Sequence, residues 1–174
     1  GMRLMSDHRT RPEDQEDTRA LVDAWLRAAQ TREVAAEIEA IYQIVADQVA
    51  AHQPVCVSSG RCCHFRDHGH LLYTTGLEAA YAVSRLGAGR SLSPGGVRGA
   101  VERGDCPFLV REQCSVHTIK PSGCRIYFCD QENEGWQQAL SERVVDQLRR
   151  LHERRAIPYR YAEWRALLAW FAAS

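Results

Sequence analysis

The sequence has a single lysine, Lys120, among its 22 basic residues, and 22 acidic residues leave it with no net charge. A balanced chain projects no field of one sign, so charge gives no reason to expect nucleic acid or an acidic membrane surface as a partner. Long apolar runs are missing as well. The apolar stretch 166–173 falls far short of the roughly 20 residues that cross a bilayer. The opening residues 3–17 are polar and charged and lack the apolar core of an export signal, so the expectation is a cytoplasmic protein with no membrane partner. No Cys-x-x-Cys pair occurs, which argues against a redox dithiol. The Gly-rich element Gly87-Ala-Gly89 follows a helical stretch rather than a strand, so it reads as a helix cap and not as a phosphate cradle. Internal repeats and low-complexity segments are absent.

What is present is a helical pattern over most of the chain. With 174 residues and 45% hydrophobic content, the chain suits one domain, 1–174, that buries a core without disulfides. Leu21, Trp25, Ala29, Val34, Ile38, Ile41, Tyr42, Val45 and Val49 recur at helical spacing, predicting one long or kinked amphipathic helix over 17–53 that Pro54 ends. Thr75 and Glu78 have the spacing of a capping box, opening a helix through Leu77, Tyr81, Val83 and Leu86 that stops near Gly87. A shorter helix follows Ser93-Pro94 to about Arg103. Trp136, Leu140, Val144, Val145, Leu148, Leu151 and His152 mark another, and after Pro158 a last helix carries Trp164, Leu167, Leu168 and Phe171. The expected fold class is mainly α: several amphipathic helices with two irregular cysteine-rich loops joined at a metal site.

All seven cysteines fall in those two irregular stretches. Cys56, Cys62 and Cys63 occupy the first; Cys106, Cys114, Cys124 and Cys129 occupy the second, where Pro107, Pro121 and Gly123 break periodicity and a short strand is expected at 108–110. Cysteines kept for packing would scatter over the apolar helix faces. Thiols gathered on loops, in a chain expected to meet cellular reductants, point instead to metal ligation, because a tetrahedral site needs donors converging from several directions. The candidate ligands are therefore Cys56, Cys62, Cys63, Cys106, Cys114, Cys124 and Cys129, within a metal-binding region 56–129. His64 and His117 lie close enough in sequence to join them, since neutral imidazole binds zinc and replaces Cys in some clusters.

These stretches resemble the bacterial and archaeal zinc- or iron-chelating domain family named for its CxxCxxCC motif, the YkgJ-type cysteine-cluster proteins. The resemblance runs over about 56–127. Cys56-Val-Ser-Ser59-Gly60-Arg61-Cys62-Cys63 is similar to the opening motif, with Ser59 standing where the second cysteine is expected. Tyr73-Thr-Thr75-Gly-Leu-Glu78-Ala79 is similar to the downstream Leu-Thr-x-x-Glu-Ala helix start. Cys106-Pro107-Phe108-Leu109, Cys114-Ser-Val-His117 and Lys120-Pro121-Ser-Gly-Cys124-Arg125-Ile-Tyr127 are similar to the three closing signatures. The resemblance implies metal binding but no particular reaction. Related clusters in flagellin lysine methylases open an alternative, a cluster-dependent enzyme or electron-transfer protein associated with protein (lysine) methylation.

Structural zinc usually takes closely spaced pairs held in knuckles, and the gaps here show none, so an iron–sulfur cluster is preferred slightly to Zn2+ as cofactor. Beyond the metal ion or cluster, a protein partner is left open. Cys129 either offsets the thiol missing at Ser59 or packs as a small apolar residue. Arg125, next to Cys124, reads as a salt-bridging neighbour of the site. Arg149, Arg150, Arg154 and Arg155 share a helix with Glu153 and read as a solvated face.

Overall fold

The structure is a computed structural model; it describes residues 12–52, 72–86, 91–110, 113–116, 118–126 and 134–173. The expected first helix is two. Helix α1, Pro12–Gln30, and helix α2, Arg32–His52, meet at Thr31. The Thr31 hydroxyl donates to the Ala28 carbonyl at 2.8 Å and accepts from the Val34 amide at 3.4 Å, so one side chain both closes α1 and opens α2. Val22, Trp25 and Ala29 of α1 are fully buried, and α2 buries Val34, Ile38, Ile41, Tyr42 and Val45 on one stripe.

Helix α3, Gly76–Ser84, follows a short strand β1, Tyr73–Thr75, and is buried from Gly76 to Ala82. Its capping box is present, as the Thr75–Glu78 spacing predicts. Only glycine suits its first position: a Cβ on Gly76 would stand 2.5 Å from the Trp25 ring. The helix ends at Ser84 with Arg85 as its cap, ahead of Gly87 and Gly89, which lie outside the described residues. Helix α4, Pro94–Arg103, has Ser93 as N-cap and Gly104 in the left-handed region beyond its last turn.

Strands β2, Leu109–Val110, and β3, Gln113–Cys114, form an antiparallel hairpin with Leu109 opposite Cys114. Then come the short helix α5, Ser122–Ile126, the long helix α6, Glu134–Arg154, strand β4, Tyr161–Glu163, and helix α7, Trp164–Ala173. Strand β4 pairs antiparallel with β1, a contact the sequence pattern does not announce. Helix α6 buries Leu140, Val144, Leu148 and Leu151 and packs on α2. Glu37 of α2 reaches Arg154 at 3.1 Å and Arg155 at 2.9 Å, fastening the far end of that contact. Helix α7 closes the core on α1, α3 and α4, with Trp170 and Phe171 stacked on Trp25. The fold is mainly α, and among the described residues no helix is long and apolar enough to cross a membrane.

Candidate metal centre

Of the candidate ligands, Cys56, Cys62, Cys63 and Cys129 lie outside the described residues, as do His64 and His117. Cys106, Cys114 and Cys124 are thiols held on three short pieces. Cys106 follows the Gly104 cap of α4 and is only 5% exposed; its carbonyl accepts from the Leu109 amide at 3.1 Å, turning the chain into the hairpin. Cys114, half-buried, sits on the returning strand. Cys124, also half-buried, lies in α5 and not in an irregular loop, which corrects the expectation that no cysteine is helical. The cause is Pro121, whose carbonyl accepts from the Cys124 and Arg125 amides at 3.1 and 3.3 Å and so starts a single turn.

Cys106 has a specific donor. The indole Nε1 of Trp164, itself 1% exposed, lies 3.3 Å from Cys106 Sγ. Trp164 is placed by its own amide, which donates to the Leu72 carbonyl at 2.7 Å, and by the Phe108 ring at 6.0 Å between centroids. Leu72 also meets α5: a Cβ on Gly123 would stand 2.9 Å from the Leu72 side chain and 3.1 Å from the Tyr73 carbonyl, so glycine lets α5 seat directly on β1. Leu72 therefore touches the piece that holds Cys106 and the residue before Cys124. In sequence it is the first described residue after the first cysteine stretch.

The seat of α5 is a buried carboxylate. Glu78 has no exposed surface, and both its oxygens accept hydrogen bonds from separate elements. Oε1 takes the Tyr42 hydroxyl at 3.1 Å and the Ser122 amide at 2.8 Å. Oε2 takes the Thr74 and Thr75 hydroxyls at 2.8 and 3.0 Å and the Thr75 amide at 3.4 Å. Burying a carboxylate is costly unless its lone pairs are all engaged, and here they are. Burial, then the neighbouring Glu78 charge, push the Tyr42 phenol well above its usual range, so it stays a donor.

Arg125 completes the seat. Its guanidinium lies 4.0 Å above the Tyr42 ring, and its Nε and terminal nitrogen donate to the Lys120 and Thr118 carbonyls at 2.8 and 3.0 Å. Among the described residues Arg125 makes no salt bridge, and these hydrogen bonds brace the turn ahead of Cys124 instead. Glu78 and Tyr42 belong to the helical frame and grip the turn two residues before and one after that cysteine. The Thr75–Glu78 spacing marks Glu78 only as a helix cap; nothing local to it foretells the Tyr42 and Ser122 contacts.

Cys106, Cys114 and Cys124 carry soft thiols of the type that zinc and iron–sulfur clusters take, and hydrogen bonds to ligating sulfur tune such centres. Among the described residues no three Cys, His, Asp or Glu side chains form a group able to hold a metal by themselves. A complete set would need donors from the other cysteines. Beside the hairpin lies a cleft of about 420 Å³ lined by Leu86, Leu92, Ser93, Pro107, Phe108 and Ser115, among others. In the arginine group, Arg150 pairs with Asp146 and Arg154 and Arg155 pair with Glu37, as a solvated face would.

The helical spacing also puts His152 on the α6 stripe, and it is buried there, but nothing in the sequence fixes what its ring meets. His152, 2% exposed on α6, has Nδ1 2.5 Å from the Leu148 carbonyl, which fixes the proton there, and among the described residues its Nε2 has no hydrogen-bond partner. Burial holds its pKa below the usual value, against the pull of the Leu148 carbonyl and Glu78. Compared with family models, with curated proteins and with solved structures, the chain matches none.

Proposed function

We propose that this chain is a thiolate metal-binding protein of the cysteine-cluster kind, holding an iron–sulfur cluster or, as second choice, Zn2+. The ligands are drawn from Cys56, Cys62, Cys63, Cys106, Cys114, Cys124 and Cys129. The observation that carries the reading is the mounting of Cys106 and Cys124: each sits on a short piece fixed by a buried polar side chain of the helical frame, Trp164 for one and Glu78 for the other. Such mounts are wasted on cysteines that only pack, whereas a metal site requires its donors at set positions. The motif resemblance over 56–127 supports the same reading. A cytoplasmic setting follows, since thiolate ligands persist where disulfides do not. Nucleic acid is not proposed as a partner, because the basic group on α6 is largely spent on carboxylates.

The cleft beside Pro107, Phe108 and Ser115 favours a second reading, a cluster-dependent enzyme or electron-transfer protein acting with a protein partner, in the manner of clusters associated with lysine methylation. Anaerobic purification followed by elemental analysis and a visible spectrum tests the first reading. Brown protein with stoichiometric iron and sulfide is the expected result; colourless protein with stoichiometric zinc selects the second metal, and absence of both metals rejects the proposal.

A further inference from the structure

We infer that Trp164 is a positioning residue for the metal centre: its indole N–H donates to Cys106 Sγ and stays on that sulfur when the sulfur binds metal. The inference rests on the reading of Cys106 as a ligand. An indole has one donor and no acceptor, so its N–H is spent wherever it points. Here it points at sulfur, 3.3 Å away, with both residues buried, rather than at any of the carbonyls that a buried indole usually finds. The contrast lies within the same protein: Trp25, equally buried, sends its Nε1 to the Pro158 carbonyl at 2.7 Å.

Two independent fixings keep the indole in place. The Trp164 amide is bonded to the Leu72 carbonyl at the junction of β4 and α7, and the Phe108 ring, two residues beyond Cys106, packs on the indole. Donor and acceptor are thus gripped by one cluster, and a metal arriving at Cys106 meets a sulfur whose lone pairs are already oriented. A hydrogen bond to a ligating sulfur withdraws charge from it, which weakens the thiolate as a base and steadies it as a ligand. Outer contacts of this kind typically change metal affinity by roughly 10-fold to 100-fold when removed.

Cd(II), enriched in its NMR-active isotope, is a thiolate-seeking probe that reads this contact directly. The full chain, with its tryptophans nitrogen-labelled, is stripped under reductant and reloaded with Cd(II). One of the four indole N–H resonances should be split by cadmium. That signal should vanish in Trp164→Phe, which should bind Cd(II) roughly 10-fold to 100-fold more weakly, and the splitting should vanish in Cys106→Ser. The wild-type splitting stands even where a variant fails to fold. Cadmium held through thiolates with no split indole overturns the role of Trp164 alone. Cadmium lost on desalting, with no cadmium–thiolate charge-transfer band, overturns both this inference and the metal reading beneath it.

Discussion

Glu78 Oε1 accepts the Ser122 amide at 2.8 Å across 44 residues of sequence. The helix start around Thr75–Glu78 and the turn Pro121–Cys124 look like separate motifs in the chain, yet in the fold they are two sides of one contact. The capping carboxylate closes α3 with one oxygen and seats α5 with the other. Its place in the sequence is explained by both duties together, and neither requires a metal to be bound.

The network should therefore bear on stability. Glu78→Gln replaces an acceptor oxygen with an NH2 group that faces donors on every side, and the expected loss is about 3 kcal/mol. Thr75→Ala removes the cap and should cost about 1 kcal/mol. Urea unfolding of both variants checks the order; equal midpoints for Glu78→Gln and wild type would mean that the network contributes little.

Metal removal should loosen the two cysteine-bearing pieces unequally. The Ser122 amide is held by a fully buried side chain of the frame, so its protection against hydrogen exchange should survive chelation. The β2–β3 hairpin has only a two-residue ladder and should lose protection first. Loss of Ser122 protection together with the hairpin would show that metal, not Glu78, seats α5.

Much of the frame was legible because its signals are local. The Thr75–Glu78 box and the Ser93-Pro94 start lie within one turn of the helices they open, and the stripes of α2, α6 and α7 repeat over several turns. Thr31 was missed because the apolar period continues across it while its hydroxyl competes for the backbone. Strands β1 and β4, three residues each, are too short to show alternation, and their pairing joins residues almost ninety positions apart. Trp164 reads as one member of an apolar stripe; only the fold reveals that its polar edge meets Cys106.

Acid should weaken the fold through His152. Its pKa is lowered by burial from the ordinary value of about 6.5, so the unfolded chain binds the proton more readily than the folded one. The contribution is complete above that ordinary value and is lost as pH falls below it toward the folded value. The slope should reach at most about 1.4 kcal/mol per pH unit. His152→Leu should flatten stability against pH between about pH 7 and 5; an unchanged slope would assign the acid sensitivity to another group.

Ser59 stands where the motif this chain resembles has a cysteine, which gives a test at Cys129. A serine hydroxyl stays protonated near neutral pH and is a poor ligand, so a site that keeps its donor number needs another thiol. Metal content should fall in Cys129→Ala and return when Ser59→Cys is added. Full metal content in Cys129→Ala would leave Cys129 as a packing residue.

The central claim, that thiolates of this chain hold a metal, is tested most directly by X-ray absorption at the metal edge of anaerobically purified protein. The expected result is stoichiometric iron or zinc with a first shell dominated by sulfur at about 2.3 Å, and fewer sulfur neighbours in Cys106→Ser or Cys124→Ser. A first shell of oxygen and nitrogen alone, or metal far below one equivalent per chain in freshly isolated protein, would contradict it.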